Sequence, residues 1–351
     1  MTEAVQPAPT ERGWGKLLLA LVAFLFIPTI PQFRAILPVE QTLTLLVPAI
    51  AACALVGWWA GGRLFLAVVW VAAAVLLAAQ PATTPGVFYN LQRGWSLLLA
   101  GAFGLVCLFG VRRPFFVRAL VALTIALLLA LVMCALGPVT AADVHTAVGA
   151  ELAQRNRDTM TLLNSFIGQH ADQWNQLVAK LPQLGTLPAE TEKQLGALAG
   201  AGRTLYPSLL ALESLVALAI AWATYHRLGR ARLGPPLAPL RDFRFNDQLV
   251  WGLIAGLTIV FLPTLSGFLP VGRNLLVFFG ALYAIRGLGV LSFFLAPGAL
   301  AIAATVGFVM LWAPVLNAVA VLAFMLLALA AFGLGLGDTW ADWRNRARST
   351  S

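Results

Sequence analysis

The sequence predicts an all-α fold: a polytopic transmembrane helical bundle of about ten helices with a helical extracytoplasmic insertion. Three observations predict it. Hydrophobic residues make up 60% of the 351 and charged residues only 11%, against about 45–50% apolar and about 25% charged in an ordinary soluble domain. The apolar residues fall in runs close to the roughly 20 residues that a spanning helix needs. Arg and Lys gather in alternate connections between those runs. With a mean hydropathy of +0.86, the excess apolar surface has to face lipid.

A polar leader, 1–13, opens the chain. No small-residue cleavage site follows a short apolar core, so the first run is read as a membrane helix that also targets the chain. Spans are placed at 14–37 (interrupted by Pro28 and Pro31), 42–60, 63–80, 94–111 and 116–137, a five-helix half over 14–137. Five more follow at 206–225, 249–269, 273–295, 297–313 and 315–336, a second half over 206–337 with a basic tail, 338–351.

Between the halves lies a polar segment, 138–205. From Ala141 to Leu181 it holds no Pro and only Gly149 and Gly168. Leu152, Met160, Leu163, Ile167, Trp174, Leu177, Val178 and Leu181 recur at helical spacing, which predicts one or two amphipathic helices on the outer face. Pro182, Gly185 and Pro188 break that pattern, and a short helix over 189–199 follows with Glu190 and Glu192 in its first turn. A connection of this length is either functional or a helical cap on the bundle.

Orientation follows from the basic residues. With the N-terminus inside, the inner segments carry fourteen Arg and Lys, including Arg63, Arg112, Arg113, Arg118, Arg227, Arg230, Arg232, Arg241 and Arg244, and the short outer loops only Arg34, Arg93 and Arg273. Cytoplasmic loops are the ones enriched in basic residues. Both termini are therefore expected in the cytoplasm. The same distribution accounts for the net charge of +9 without nucleic acid as a partner. Of the tryptophans, Trp70 and Trp222 fit least well at predicted helix ends.

Chemistry-bearing patterns are few. Cys53, Cys107 and Cys134 lie singly in apolar runs, and His145, His170 and His226 are far apart, so no metal site, disulfide framework or cofactor is expected. Asp143 with His145, and His170 with Asp172, are two apart and do not share a helix face. No nucleophile or phosphate-binding motif supports an enzyme, and no catalytic residue is assigned. Ionisable residues inside spans are functional candidates by default, which singles out Glu213 in the sixth helix and Arg286 in the eighth as binding candidates. The alternative is a structural ion pair or a snorkelling Arg. Gly57 with Gly61 and Gly252 with Gly256 have the spacing of close helix packing. Asp338 and Asp342, with Arg344 just beyond, read as an interfacial anchor with local ion pairing beside Trp340 and Trp343, Asn246 or Asp247 as the cap of the seventh helix, and Phe243 and Phe245 as interfacial rings.

Three segments of the second half carry a resemblance. They are Tyr206-Pro-Ser-Leu-Leu-Ala-Leu-Glu-Ser-Leu running into Ala221-Trp-Ala-Thr-Tyr-His-Arg-Leu; Leu240-Arg-Asp-Phe-Arg-Phe-Asn-Asp-Gln-Leu-Val-Trp251, followed by Asn274-Leu-Leu, Tyr283, Arg286-Gly-Leu and Phe293-Phe294; and Gly335-Leu-Gly-Asp-Thr-Trp-Ala-Asp-Trp-Arg344. Together they resemble the YybS-like family of bacterial membrane proteins, a domain of unknown function numbered 2232. The resemblance covers about 200–345 and implies a bacterial inner-membrane protein. It also implies a distant kinship with the substrate-binding membrane subunits of energy-coupling-factor transporters, and it carries over no binding residue. Arg286 stands where the family pattern is expected to hold a neutral amide.

Two functional readings remain open. One is a membrane subunit that binds or transports a small molecule, with the bilayer, a small ligand and a membrane or cytoplasmic subunit as partners. The other is a non-transport scaffold or cell-envelope assembly factor acting through the 138–205 segment and the basic 226–247 loop. A polar cavity favours the first and a solid apolar bundle the second.

Overall fold

A computed structural model describes residues 13–38, 42–80, 86–109, 113–296, 298–311 and 317–349. All regular structure among them is helical. The chain forms two units, Met1–Leu237 and Ala238–Ser351.

In the first unit, α1 (Trp14–Phe26) stops well short of the expected 14–37 span. A 3₁₀ turn, Ile27–Thr29, and the short α2 (Pro31–Arg34) follow it. Pro28 and Pro31 are the cause, since each lacks the N–H that continues a helix. The next helix, α3 (Leu43–Trp59), is the centre of the unit: Leu45, Leu46, Ala49, Ile50, Cys53 and Ala54 are all buried. Around it stand α4 (Leu64–Ala79), α5 (Val87–Phe109) and α6 (Phe115–Leu136). On α4 only Ala67 and Ala74 are buried, so nearly the whole helix presents apolar side chains outward.

The polar insertion holds α7 (Ala141–Gln169) and α8 (Ala171–Lys180). The helix expected over 189–199 and the sixth span are one continuous helix, α9 (Leu187–Leu228), of 42 residues. Pro207 removes one backbone hydrogen bond without ending it. At about 1.5 Å per residue, α9 is about 63 Å long, twice the hydrocarbon thickness of a bilayer. Its first half carries Glu190, Glu192, Lys193 and Arg203, and from 204 to 226 the only formally charged residue is Glu213.

Along that charged half α7 runs antiparallel. Gly149 lies against Arg203, Gly202 against Leu152 and the Ile36 backbone, and Asn156 Nδ2 donates to Leu195 O at 2.8 Å. Arg155, 2% exposed, donates through Nη1 to Leu37 O at 2.9 Å and pairs with Glu151 at 3.0 Å. The base of the insertion is thus docked on the connection after α2, as a cap requires, while Leu162, Phe166, Leu177 and Leu181 farther out are exposed.

Because α9 also packs on α3 and α6, the sixth apolar helix groups with the first five, and the boundary between units falls after Leu237 rather than in the insertion. Trp222, poorly interfacial by sequence, is fully buried: its ring meets Phe115 at 5.6 Å and Phe103 at 6.1 Å.

The second unit comprises α10 (Val250–Phe261), α11 (Leu269–Phe294), α12 (Ala299–Leu311), α13 (Asn317–Ala341) and α14 (Trp343–Ser349). A 3₁₀ stretch, Pro263–Phe268, takes the end of the expected 249–269 span, so α10 is shorter and α11 starts earlier than expected. Asn246 is the cap, its side chain accepting from Gln248 N at 3.0 Å. Gly252 and Gly256 face α11, against Phe279 and Gly272 O. Gly57 packs under Tyr225, whereas Gly61 serves a turn at φ 89°. Among the described residues two other glycines allow a backbone-to-backbone approach: a Cβ on Gly287 would collide with Ala331 O, and one on Gly335 with Tyr283 O.

Ten apolar helices stand among the described residues. Five are long enough to cross a membrane, in α5, α6, α9, α11 and α13, and α1, α3, α4, α10 and α12 are shorter. Leu127, Leu128 and Leu131 on α6, and Leu322, Met325, Leu326 and Leu329 on α13, are exposed, as lipid-facing residues should be.

Two predictions follow from this packing. Gly287→Ala or Gly335→Ala should destabilise the protein by about 1–3 kcal/mol through overpacking against backbone, whereas Gly280→Ala, with nothing within 4 Å, should not lower thermal stability in detergent. Equal melting of all three would refute the interlock. The second concerns the box at the start of α7. Thr140 N and Oγ1 donate to Asp143 Oδ2 at 2.8 and 2.7 Å, and these bonds hold the Asp143 carboxyl below its usual range. A depressed pKa stabilises the cap above the unfolded value, about 3.9, and that contribution is lost as pH falls through the folded one. Amide exchange in the first turn of α7, corrected for its intrinsic rate, should stay flat from about pH 7 to 5 and rise only below about pH 4.

Candidate functional site

The densest set of buried charges lies in the second unit, where the connection before α10 meets the ends of α11 and α13. Asp338, in the last turns of α13, is its centre. Its Oδ2 accepts from Arg286 Nε at 3.0 Å and from Arg344 Nη2 at 2.6 Å. Arg286 Nη2 donates to Asp338 O at 3.2 Å, and Nη1 to Asp247 Oδ1 at 2.6 Å. Arg344 Nη1 donates to Arg241 O and Phe243 O at 3.0 and 3.1 Å. Arg244 pairs with Asp342 at 2.8 Å. Asp342 takes φ 45°, which breaks α13 from α14 and turns Arg344 back toward Asp338.

Arg286, Asp338 and Arg344 are 3%, 1% and 1% exposed. Such burial requires that charges be paired first of all; Asp338 Oδ1 and Arg344 Nε have no hydrogen-bond partner among the described residues. The cluster meets the pairing condition by count, three Arg against Asp247, Asp338 and Asp342. The Arg286 guanidinium spends all three nitrogens on protein acceptors and lies over Phe245 at 5.4 Å. Chemically this is a clamp that ties a loop to two helices.

The local ion pairing expected at Asp338 and Asp342 is present, but Asp338 is not an interfacial anchor. Asp338 is buried as the shared counterion of two arginines, and only Asp342 is a partly exposed ion-pair partner. Phe245 is not an interfacial ring either: it is 9% exposed and meets Tyr283 edge-on at 5.1 Å.

Glu213 lies on α9 of the first unit, 7% exposed. Its neighbour Ser214 accepts from Trp95 Nε1 at 2.9 Å, and one turn before Trp95 on α5, Gln92 Nε2 donates to Pro38 O at 2.7 Å. Ser96 and Ser208 are also buried here. The two candidates singled out by sequence thus have their described surroundings in separate units, and both are buried.

The family model described as "Predicted membrane protein (DUF2232)" matches residues 18–338. The chain belongs to that family. No curated protein and no solved structure matches it. Within this DUF2232 chain, the segments around 241–247, 283–287 and 335–344 that carried the resemblance converge on the Asp338 cluster. Sequence reasoning missed Asp338 and Asp247 as partners of Arg286, and Arg344 as the second cation on Asp338. The signal was present in those segments, but the separation of 52 residues between Arg286 and Asp338 hides the pairing.

Asp338→Asn should leave the buried Arg344 without a carboxylate partner and Arg286 with Asp247 alone, and cost about 3–5 kcal/mol. Adding Arg344→Gln removes one of those cations and should recover part of the loss. Thermal unfolding in detergent decides it. Simple additivity of the two substitutions would show that the groups are not coupled.

Proposed function

We propose that this DUF2232 protein is a non-transport scaffold of the bacterial inner membrane, with both termini cytoplasmic and the α7–α9 hairpin projecting on the outer side. The observation that carries this reading is the length and continuity of α9. About 20 residues suffice to span, so the charged first half of α9, braced by α7, stands outside as a stiff stalk. At its far end, α8 has no buried residue, and Phe166, Leu177 and Leu181 are 58%, 47% and 57% exposed. Exposed apolar residues so far from lipid suit contact with another envelope protein. Saturation of Arg286 by its own unit also supports a structural rather than a substrate-binding role for that charge. The orientation rests on the distribution of Arg and Lys between alternate connections.

The small-molecule reading keeps one observation in its favour, the buried set of Gln92, Ser96, Ser208 and Glu213 on α5 and α9. The kinship with energy-coupling-factor subunits has no counterpart in the comparisons and carries no weight in the proposal.

Photoreactive residues at Phe166, Leu177 and Leu181 in intact cells test the scaffold reading. The expected result is one discrete adduct, formed from the hairpin end and absent from a control at lipid-facing Leu326. It should be lost when Leu162 and Leu187, 65% and 40% exposed, are changed to Ser. Absence of any hairpin-specific adduct, together with a small molecule retained on purification and lost in Glu213→Gln, would reverse the assignment.

A further inference from the structure

At one end of the first unit, the last turns of α3 and α5 and the connection after α9 enclose a cleft of about 80 Å³. Val56, Cys107, Leu108 and Leu233 make an apolar floor and wall, Trp59 stands at the rim, and Arg232 is the one charged residue of the lining. Trp59 is 78% exposed and neighbouring Phe109 87%. An apolar hollow with an aromatic rim and a cation at its mouth is amphipathic in the same sense as a lipid.

The cation is held in place. The connection carrying it is pinned by side chains from two helices. Arg118 Nη1 donates to Leu233 O at 2.6 Å, Trp222 Nε1 to Pro235 O at 3.2 Å, and Tyr225 OH to Ala231 O at 3.0 Å. Gly62 packs so closely on this connection that a methyl there would meet Ala231 Cβ at 3.3 Å. That contact brings the segment of Arg63 beside Arg230 and Arg232, and Arg113 opens α6, whose Arg118 makes the bond to Leu233. Arg63, Arg113, Arg230 and Arg232 are all exposed. The segments 56–66, 105–118 and 226–237 contain no Asp or Glu. The positive charge of this corner therefore has no carboxylate in the segments that build it, unlike the balanced cluster around Asp338.

We infer that this corner is a binding site for an anionic phospholipid. The phosphate sits among Arg230, Arg232 and Arg63, and the start of an acyl chain lies in the cleft against Leu108 and Trp59. Basic pockets between membrane helices are suited to such headgroups, with each Arg near the surface adding to the attraction. The pinned connection presents its arginines from a backbone already in place, so binding orders only their side chains. The hollow is too small for a whole lipid, so the remaining chain length lies along the exposed apolar wall. The inference is independent of the scaffold proposal, because it uses a different end of the first unit.

The full chain in neutral detergent is titrated with phosphatidylglycerol, phosphatidylcholine or glycerol phosphate, and bound lipid is counted by native mass spectrometry beside the melting temperature. Phosphatidylglycerol should be retained and raise the melting temperature, with a shift that shrinks at high salt. The other two should have little effect. Arg230→Gln/Arg232→Gln should weaken phosphatidylglycerol binding by about tenfold or more, and Trp59→Ala should weaken it with the arginines intact. Both sites are at the surface, and unchanged basal melting of the variants checks their folding. Arg157→Gln, on α7, is the control and should bind as the unaltered chain does. Equal retention of phosphatidylcholine, full binding by the double variant, or a shift reproduced by glycerol phosphate alone would overturn the inference.

Discussion

Inside hydrocarbon a backbone amide has no water to fall back on, so each spanning segment must satisfy its own hydrogen bonds as a helix. The same medium removes the hydrophobic drive that would hold one helix to the next. Association then depends on close van der Waals approach and on the few polar contacts that cross between helices. In this protein both devices are visible. Gly287 and Gly335 let α11 and α13 touch backbone to backbone, and Gly256 brings α10 onto Gly272 of α11. The first unit uses alanines on α3 and a single large anchor, Trp222, whose indole N–H and stacked Arg118 also hold the following connection.

Charge is handled in two opposite ways. Around Asp338, three arginines and three aspartates neutralise one another, and the buried guanidinium groups bind carbonyls as well as carboxylates. Such a set fixes geometry, because any missing member leaves a buried charge alone. At the corner beside Trp59, the arginines are exposed and uncompensated by their own segments, which leaves their field available to something outside the chain. The contrast separates Arg286, deep within its unit and held by its own carboxylates, from Arg230 and Arg232, which are exposed loop arginines.

The end of the polar insertion and the apolar helix that follows it are a single element. Since the apolar stretch of α9, long enough to cross a membrane, continues into its charged half without a break, a load on the hairpin end is transmitted to the core around Trp222. A flexible connection at Pro207 would have uncoupled the two. Docking of Arg155 on Leu37 O adds a second tether at the base. The farther half of α7 and the whole of α8 have no such tether and keep their apolar residues exposed.

The sequence by itself determined the membrane class, the ten apolar helices, the helical character of the insertion and a cap at Asn246 or Asp247, of which the structure uses Asn246. These are local quantities: transfer free energy adds residue by residue along a segment, and a cap involves neighbours a few positions apart. Tertiary structure decided the rest. A helix apolar on all sides does not reveal which face meets protein, so the Gly287–Gly335 contact and the burial of Trp222 were not legible. Pro28 ended a helix while Pro207 did not, although both lie in apolar surroundings, because α7, α3 and α6 pack along α9 and hold it in register. Arg286 and Glu213 were legible as unusual residues. Their partners were not, since the order of residues along the chain does not encode which helix ends meet in space.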